Sequence, residues 1–86
     1  MPVDVAALIA HAEVLSADAR ALAACADRLR AVEAGLEAEG VAPPWLRSSV
    51  TAHLAACVTA AADLETAARD LRAYANQAAR APSARP

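Results

Sequence analysis

Two histidines and two cysteines are the side chains of this chain best suited to metal binding, proton transfer or redox chemistry. His11 and His53 belong to different predicted helices, about 20 residues out of register, or roughly 30 Å apart along a helix axis. They therefore cannot share a metal ion or a proton relay within one molecule. The sequence contains no catalytic or phosphate-binding motif, and no pair of acids stands out as a general acid and base. We predict no enzymatic activity, no cofactor and no metal site.

The cysteines, Cys25 and Cys57, are candidates for a disulfide bond. In the predicted pairing of the helices they miss each other by an axial offset of about 4–5 Å, whereas a disulfide needs Cα atoms within about 7 Å. Bridging therefore requires a small shift of register, and two reduced cysteines that pack as small apolar side chains are an equal alternative. A bridge would indicate an oxidising compartment.

A heptad repeat defines the elements that must position these residues. Five leucines recur every seven residues in the first half of the chain: Leu8, Leu15, Leu22, Leu29 and Leu36. A second row with the same spacing follows a Pro-Pro-Trp break at 43–45: Val50, Cys57, Leu64, Leu71 and Ala78. Seven residues are two turns of α-helix, so each row forms one stripe down one helix. The sequence therefore predicts an all-α fold, an antiparallel hairpin of two helices.

Capping signals predict where the two helices begin and end. Asp4 is a suitable N-cap and Gly40 a suitable left-handed stop, which places the first helix at about 4–39. Pro44 suits the first helical position, so we expect the second helix at about 44–79. Both bounds follow from local residue types alone.

Residue composition indicates one small domain with little core. The chain has 86 residues, of which 28 are Ala and only two, Trp45 and Tyr74, are aromatic. We expect a helical hairpin domain over 1–79 and a disordered tail over 80–86, which contains two prolines and no apolar stripe. Alanines at seven-residue intervals between the leucines would let the helix axes approach closely.

Oppositely charged residues support the antiparallel register. Three pairs lie opposite each other when the turn is centred on residues 42–43: Glu37 with Arg47, Glu13 with Arg72, and Arg20 with Glu65. Exposed ion pairs stabilise a fold by only about 0–1 kcal/mol each. They are therefore markers of register more than sources of stability.

A close-packed pair of helices leaves several large apolar residues facing outward. The residues predicted to bind a partner are Val5, Ile9, Val14, Val32, Leu46, Leu54 and Val58. Scattered surface apolar residues are normal on any protein, but an isolated hairpin of this size has little core of its own. We therefore favour a second apolar face on which partner helices complete a four-helix bundle, in a homodimer or a heterodimer.

Charge and hydropathy exclude other classes of partner. The net charge of -2 provides no basic surface for nucleic acid. No uncharged run reaches the roughly 18–20 residues of a membrane span, and the N-terminus lacks the pattern of a signal peptide. We expect synthesis in the cytoplasm.

The absence of Lys beside eight Arg is typical of high-GC genomes and suggests an actinobacterial source.

The chain resembles the small WXG-type (ESX) targets of type VII secretion, helical hairpins of just under a hundred residues with a Trp at the turn. The segment from Val3 to Ala12, Val-Asp-Val-x-x-Leu-x-x-x-Ala, is similar to the start of the EspC-like branch. Trp45 occupies the place of the Trp in the Trp-x-Gly turn, although Arg47 replaces the Gly. Tyr74 is placed as in the Tyr-x-x-x-Asp/Glu signal, although Ala78 replaces the acid.

This resemblance implies a chain secreted by a type VII route, with Trp45 and Tyr74 as secretion-signal candidates. Its partner would be another type VII secretion substrate or the ATPase of the system, and the partner would supply the acidic half of the signal. Two alternatives follow from the helical pattern itself: a cytoplasmic adaptor or antitoxin-like hairpin that holds a toxin or enzyme, and a purely structural dimerisation module. For Trp45 itself, an equal alternative to recognition is that it caps the end of the leucine row by packing on Leu36 and Val41, and the two roles are compatible.

Overall fold

A computed structural model of the chain describes residues 3–80 and contains two α-helices joined by a short connection. Helix α1 spans Val5–Ala38 and helix α2 spans Leu46–Arg80. The helices pack against each other as an antiparallel hairpin, each about 50 Å long at 1.5 Å per residue. The predicted all-α hairpin is confirmed, and the residues 81–86 of the predicted tail lie outside the described residues.

The start of α1 follows its predicted cap, whereas α2 starts later than predicted. Asp4 accepts a hydrogen bond at 2.9 Å from the backbone N–H of Ala7, which satisfies one of the free donors of the first turn. In α2 the predicted first position, Pro44, lies in a turn. The Leu46 N–H donates to the carbonyl of Pro43 at 3.0 Å, so a tight turn precedes the first regular residue. At its other end, α2 includes one residue of the predicted tail.

Helix α1 ends in a Schellman motif built on Gly40. This glycine has φ of 72°, in the left-handed region that glycine adopts without steric cost. Its N–H donates to the carbonyl of Glu37, and the N–H of Val41 donates to the carbonyl of Leu36, both at 3.1 Å. These two bonds satisfy carbonyls that would otherwise lack partners and turn the chain toward α2. The predicted left-handed stop is confirmed.

Alanines, and not leucines, form the centre of the interface between the helices. We define the alanine seam by its buried members: Ala12, Ala19 and Ala26 of α1 with Ala68 and Ala75 of α2. In a fold of two helices, an alanine methyl group can be buried only by the other helix. These five alanines therefore face the opposite helix. Small side chains let the helix axes come close, and the leucines pack beside the alanine seam. The heptad rows predict that Leu22 and Leu64 lie at the centre of the interface, and this prediction was wrong, because both are only half-buried.

One of the three predicted ion pairs between the helices is formed. Arg47 donates to Glu37 at 3.0 Å beside the turn. The pairs of Glu13 with Arg72 and of Arg20 with Glu65 are absent among the residues that the structure describes. The alanine seam explains the difference in part, because its register and rotation are set by buried methyl groups and not by exposed charges, which stabilise little in water.

Candidate partner-binding surface

The leucine row is only partly covered in the hairpin. Its five leucines on α1 are all half-buried, as are Cys57, Leu64 and Leu71 on α2. Two helices can cover an apolar row from one side only, because no third element closes the other side. Each leucine therefore keeps part of its side chain open to solvent, where a further helix could contact it.

The residues predicted to bind a partner differ in exposure and position. Val14, Val32 and Val58 are each more than half exposed. The other four are half-buried: Val5, Ile9, Leu46 and Leu54. Val14 comes two residues after the buried Ala12, which places it on the far side of α1 from α2. The set is therefore spread over more than one face, and its contact with a partner stays a prediction.

A shallow groove of about 210 Å³ lies beside the seam near the middle of the hairpin. Small apolar side chains from both helices line it: Ala23, Ala26, Val58 and Ala61. Arg30 and Asp27 also line it, and they form an ion pair at 2.9 Å. Sites for small molecules usually measure about 300–1,000 Å³. The groove is therefore better suited to one apolar side chain of another helix than to a metabolite.

Trp45 lies at the turn, immediately before α2. Its side chain is 63% exposed, and the neighbouring tip residue Val41 is 58% exposed. The Ser48 hydroxyl donates to the Trp45 carbonyl at 3.2 Å, which anchors the backbone of this residue on the first turn of α2. A tryptophan that capped the leucine row would be mostly buried. The indole ring is instead available for contact with another molecule.

Tyr74, the second secretion-signal candidate, is near the opposite end of the hairpin. Its side chain is 51% exposed on α2. Since 29 residues separate it from Trp45, the two aromatic side chains are about 43 Å apart along the helix axis. One molecule therefore does not present both in a single patch.

The two cysteines are free thiols in the structure. Cys25 is exposed, and its Sγ accepts a hydrogen bond at 3.1 Å from Arg28 on the next turn of the same helix. Cys57 is half-buried and lines the groove. The structure thus corresponds to the reduced alternative, in which Cys57 packs as a small apolar side chain.

His11 and His53 are both exposed, on α1 and α2 respectively. His11 is near the start of α1 and His53 near the start of α2, so the antiparallel arrangement places them toward opposite ends of the hairpin. Within residues 3–80, no three His, Cys, Asp or Glu side chains lie close enough together to hold a metal ion.

Sequence reasoning missed a second apolar face on α1, which we call the outer face. It consists of Val3, which comes just before α1, and of six residues of α1 that point away from α2: Ala7, Ala10, Val14, Ala17, Ala21 and Ala24. All seven are exposed. Their alternating spacing of four and three residues is itself a coiled-coil signal, but the small alanines make it less conspicuous than the leucines.

No family model, curated protein or solved structure matches this chain. Neither of the two described helices has a stretch that is both long and apolar enough to cross a membrane.

Proposed function

We propose that the chain acts by binding helices of another protein, as a type VII secretion target or secretion partner. The observation that supports binding is the small core. Its fully covered apolar side chains are alanines and Val50, while the leucine row stays half-open. A hairpin of this kind gains much of its stability when further helices cover the leucines, because binding to the folded state shifts the folding equilibrium.

The exposed tip supports the export part of the proposal. Trp45 is more than half exposed beside the turn, where the resembled family carries the Trp of its Trp-x-Gly signal. Tyr74 is too distant to complete a signal with it, and Ala78 stands where an acid is expected. A partner hairpin docked antiparallel would bring its own Tyr-x-x-x-acid end beside Trp45. This chain would then supply the Trp half of a signal that two proteins share.

Secretion of a Trp45→Ala variant tests this proposal. The chain is expressed with its neighbouring reading frame in a host that has a type VII system, and supernatant levels are compared with helix content by circular dichroism. We expect Trp45→Ala to abolish secretion or partner capture with nearly unchanged helix content, because the side chain contributes little to the hairpin interior. Tyr74→Ala should have a milder effect, since Ala78 already spoils the acidic half.

Val41→Ala is the matched control, because Val41 is also exposed at the tip. Like Trp45→Ala, this substitution removes exposed apolar surface beside the turn. It should be secreted normally. Normal secretion of Trp45→Ala as well would argue against export and favour the adaptor or antitoxin-like alternative. Sizing of the complex with the neighbouring gene product would then identify which protein the hairpin holds.

A further inference from the structure

The outer face of α1 is unusual for the solvent side of a helix. Between Val3 and Arg28 every position on this face is Ala or Val, and all are exposed. The solvent side of α2 is mixed: Ala52, Ala56 and Ala73 share it with the polar residues Thr59, Asp63, Thr66, Asp70 and Gln77. A helix that is apolar on both sides is typical of one that is covered on both sides. Helix α1 therefore has an apolar face opposite the seam that no Thr, Asp or Gln interrupts between Ala7 and Ala24.

We propose that a second copy of this chain covers the outer face, with the two α1 helices packed antiparallel about a two-fold axis. Small residues at this face would allow close approach of the two helices, and Val14, 54% exposed, would fill the space near the centre. An antiparallel overlap of Val3–Arg28 is about 39 Å long. This inference goes beyond the proposed function and does not depend on export.

The charges that border the outer face support a second copy of the same chain as the occupant. In an antiparallel pair of helices, flanking positions of one helix lie opposite the same positions of the other. With the two-fold axis between Leu15 and Ser16, Glu13 lies opposite Arg20 of the second copy, and Arg20 opposite its Glu13. On the other flank, the His11 imidazole lies opposite the Asp18 carboxylate of the second copy, which can accept a hydrogen bond from it, and the reverse. Two-fold symmetry makes each match occur twice.

Shifting the register by one heptad replaces these matches with repulsion. In one direction Arg20 meets Arg20 of the second copy, and Asp18 meets Asp18. In the other direction Glu13 meets Glu13. Like charges at such positions oppose pairing, and natural helix pairs use them to exclude wrong registers. One register of the three is therefore complementary.

The extent of the apolar surface indicates the same register independently. Within α1, which begins at Val5, the uncharged part of the outer face runs from Ala7 to Ala24 and is followed by Arg28 on the next turn. Its midpoint is between Leu15 and Ser16, which is also the centre about which the charges match. Full overlap of the apolar surfaces and pairing of the charges therefore occur together.

The bordering charges have no ionic partner within the hairpin. Glu13, Arg20, Asp18 and His11 are all exposed, and none of them forms an ion pair in the described part of the chain. A second copy can therefore pair them without breaking an existing contact.

Charge reversal measured by sedimentation equilibrium tests the inference. The full chain is compared with Glu13→Arg, Arg20→Glu and the double variant Glu13→Arg/Arg20→Glu over a concentration series. Each single reversal places like charges opposite each other twice per dimer, so dimerisation should weaken by about tenfold. The double variant should recover the affinity of the original chain, because it restores opposite charges at both sites.

Arg69→Glu is the control, because Arg69 is an exposed arginine on the solvent side of α2, and it should leave dimerisation unchanged. Circular dichroism of each variant verifies that the hairpin is folded. A chain that stays monomeric at all concentrations would overturn the inference. A dimer whose affinity did not change on charge reversal would also overturn the inference, and it would indicate that the leucine row forms the dimer interface. Secretion is not measured, so failure of the export proposal does not affect this result.

Discussion

Replacing Ala68 with leucine tests whether the alanine seam holds the two helices together. Ala68 is 0% exposed, and Ala19 across the seam is 2% exposed. A leucine at this position adds three carbon atoms where the opposite helix already fills the space. The helices must then separate or rotate, and the neighbouring seam methyl groups lose their contacts.

We expect Ala68→Leu to lower the free energy of unfolding by about 1–3 kcal/mol, the usual cost of inserting methylenes into a packed interior. For a domain of this size, that corresponds to a fall in Tm of roughly 4–24 °C. Thermal unfolding followed by circular dichroism at 222 nm measures it directly. Dilute samples keep any association from stabilising the variant.

Ala73→Leu is the matched control, because Ala73 is exposed on the same helix five residues further on. Alanine and leucine have similar helix propensities, so this change should alter stability by only a few tenths of a kcal/mol. An Ala68→Leu variant as stable as Ala73→Leu, or more stable than the original chain, would refute the closely packed seam.

Replacing each of the two glycines with alanine should change the stability of the hairpin in opposite directions. Gly40→Ala should destabilise the hairpin by about 1 kcal/mol, because the φ of 72° at this position is strained for alanine. Gly35→Ala should stabilise the hairpin by about 0.5–1 kcal/mol, since an added Cβ meets no atom within 4 Å. Chemical denaturation of both variants measures the sign of each change. Leu22→Ala should destabilise the isolated hairpin by about 1–2 kcal/mol, less than the roughly 2–5 kcal/mol of a fully buried leucine, because Leu22 is half-buried. The same denaturation experiment measures this change, and a cost equal to that of a fully buried leucine would show that the row is central.

Local signals in the sequence determined the helices and their order. The Asp4 cap and the Gly40 stop act through hydrogen bonds to residues within five positions along the chain, so their effect can be predicted without knowing what packs nearby. The heptad spacing likewise predicted two stripes and a hairpin. Some of the alanines predicted to lie between the helices are buried: Ala12, Ala19, Ala26, Ala68 and Ala75.

Only the tertiary structure decided which stripe is central. Leucine and alanine rows lie side by side on α1. The rotation of α1 about its own axis determines which of the two rows faces α2. That rotation depends on the side chains of both helices together, because small residues must meet small residues for the axes to approach. The same long-range choice left Trp45 exposed, left Glu13 and Arg20 without an ion-pair partner among residues 3–80, and left the outer face of α1 uncovered. Spacing within one helix shows which residues share a face, but it does not show which face the other helix covers.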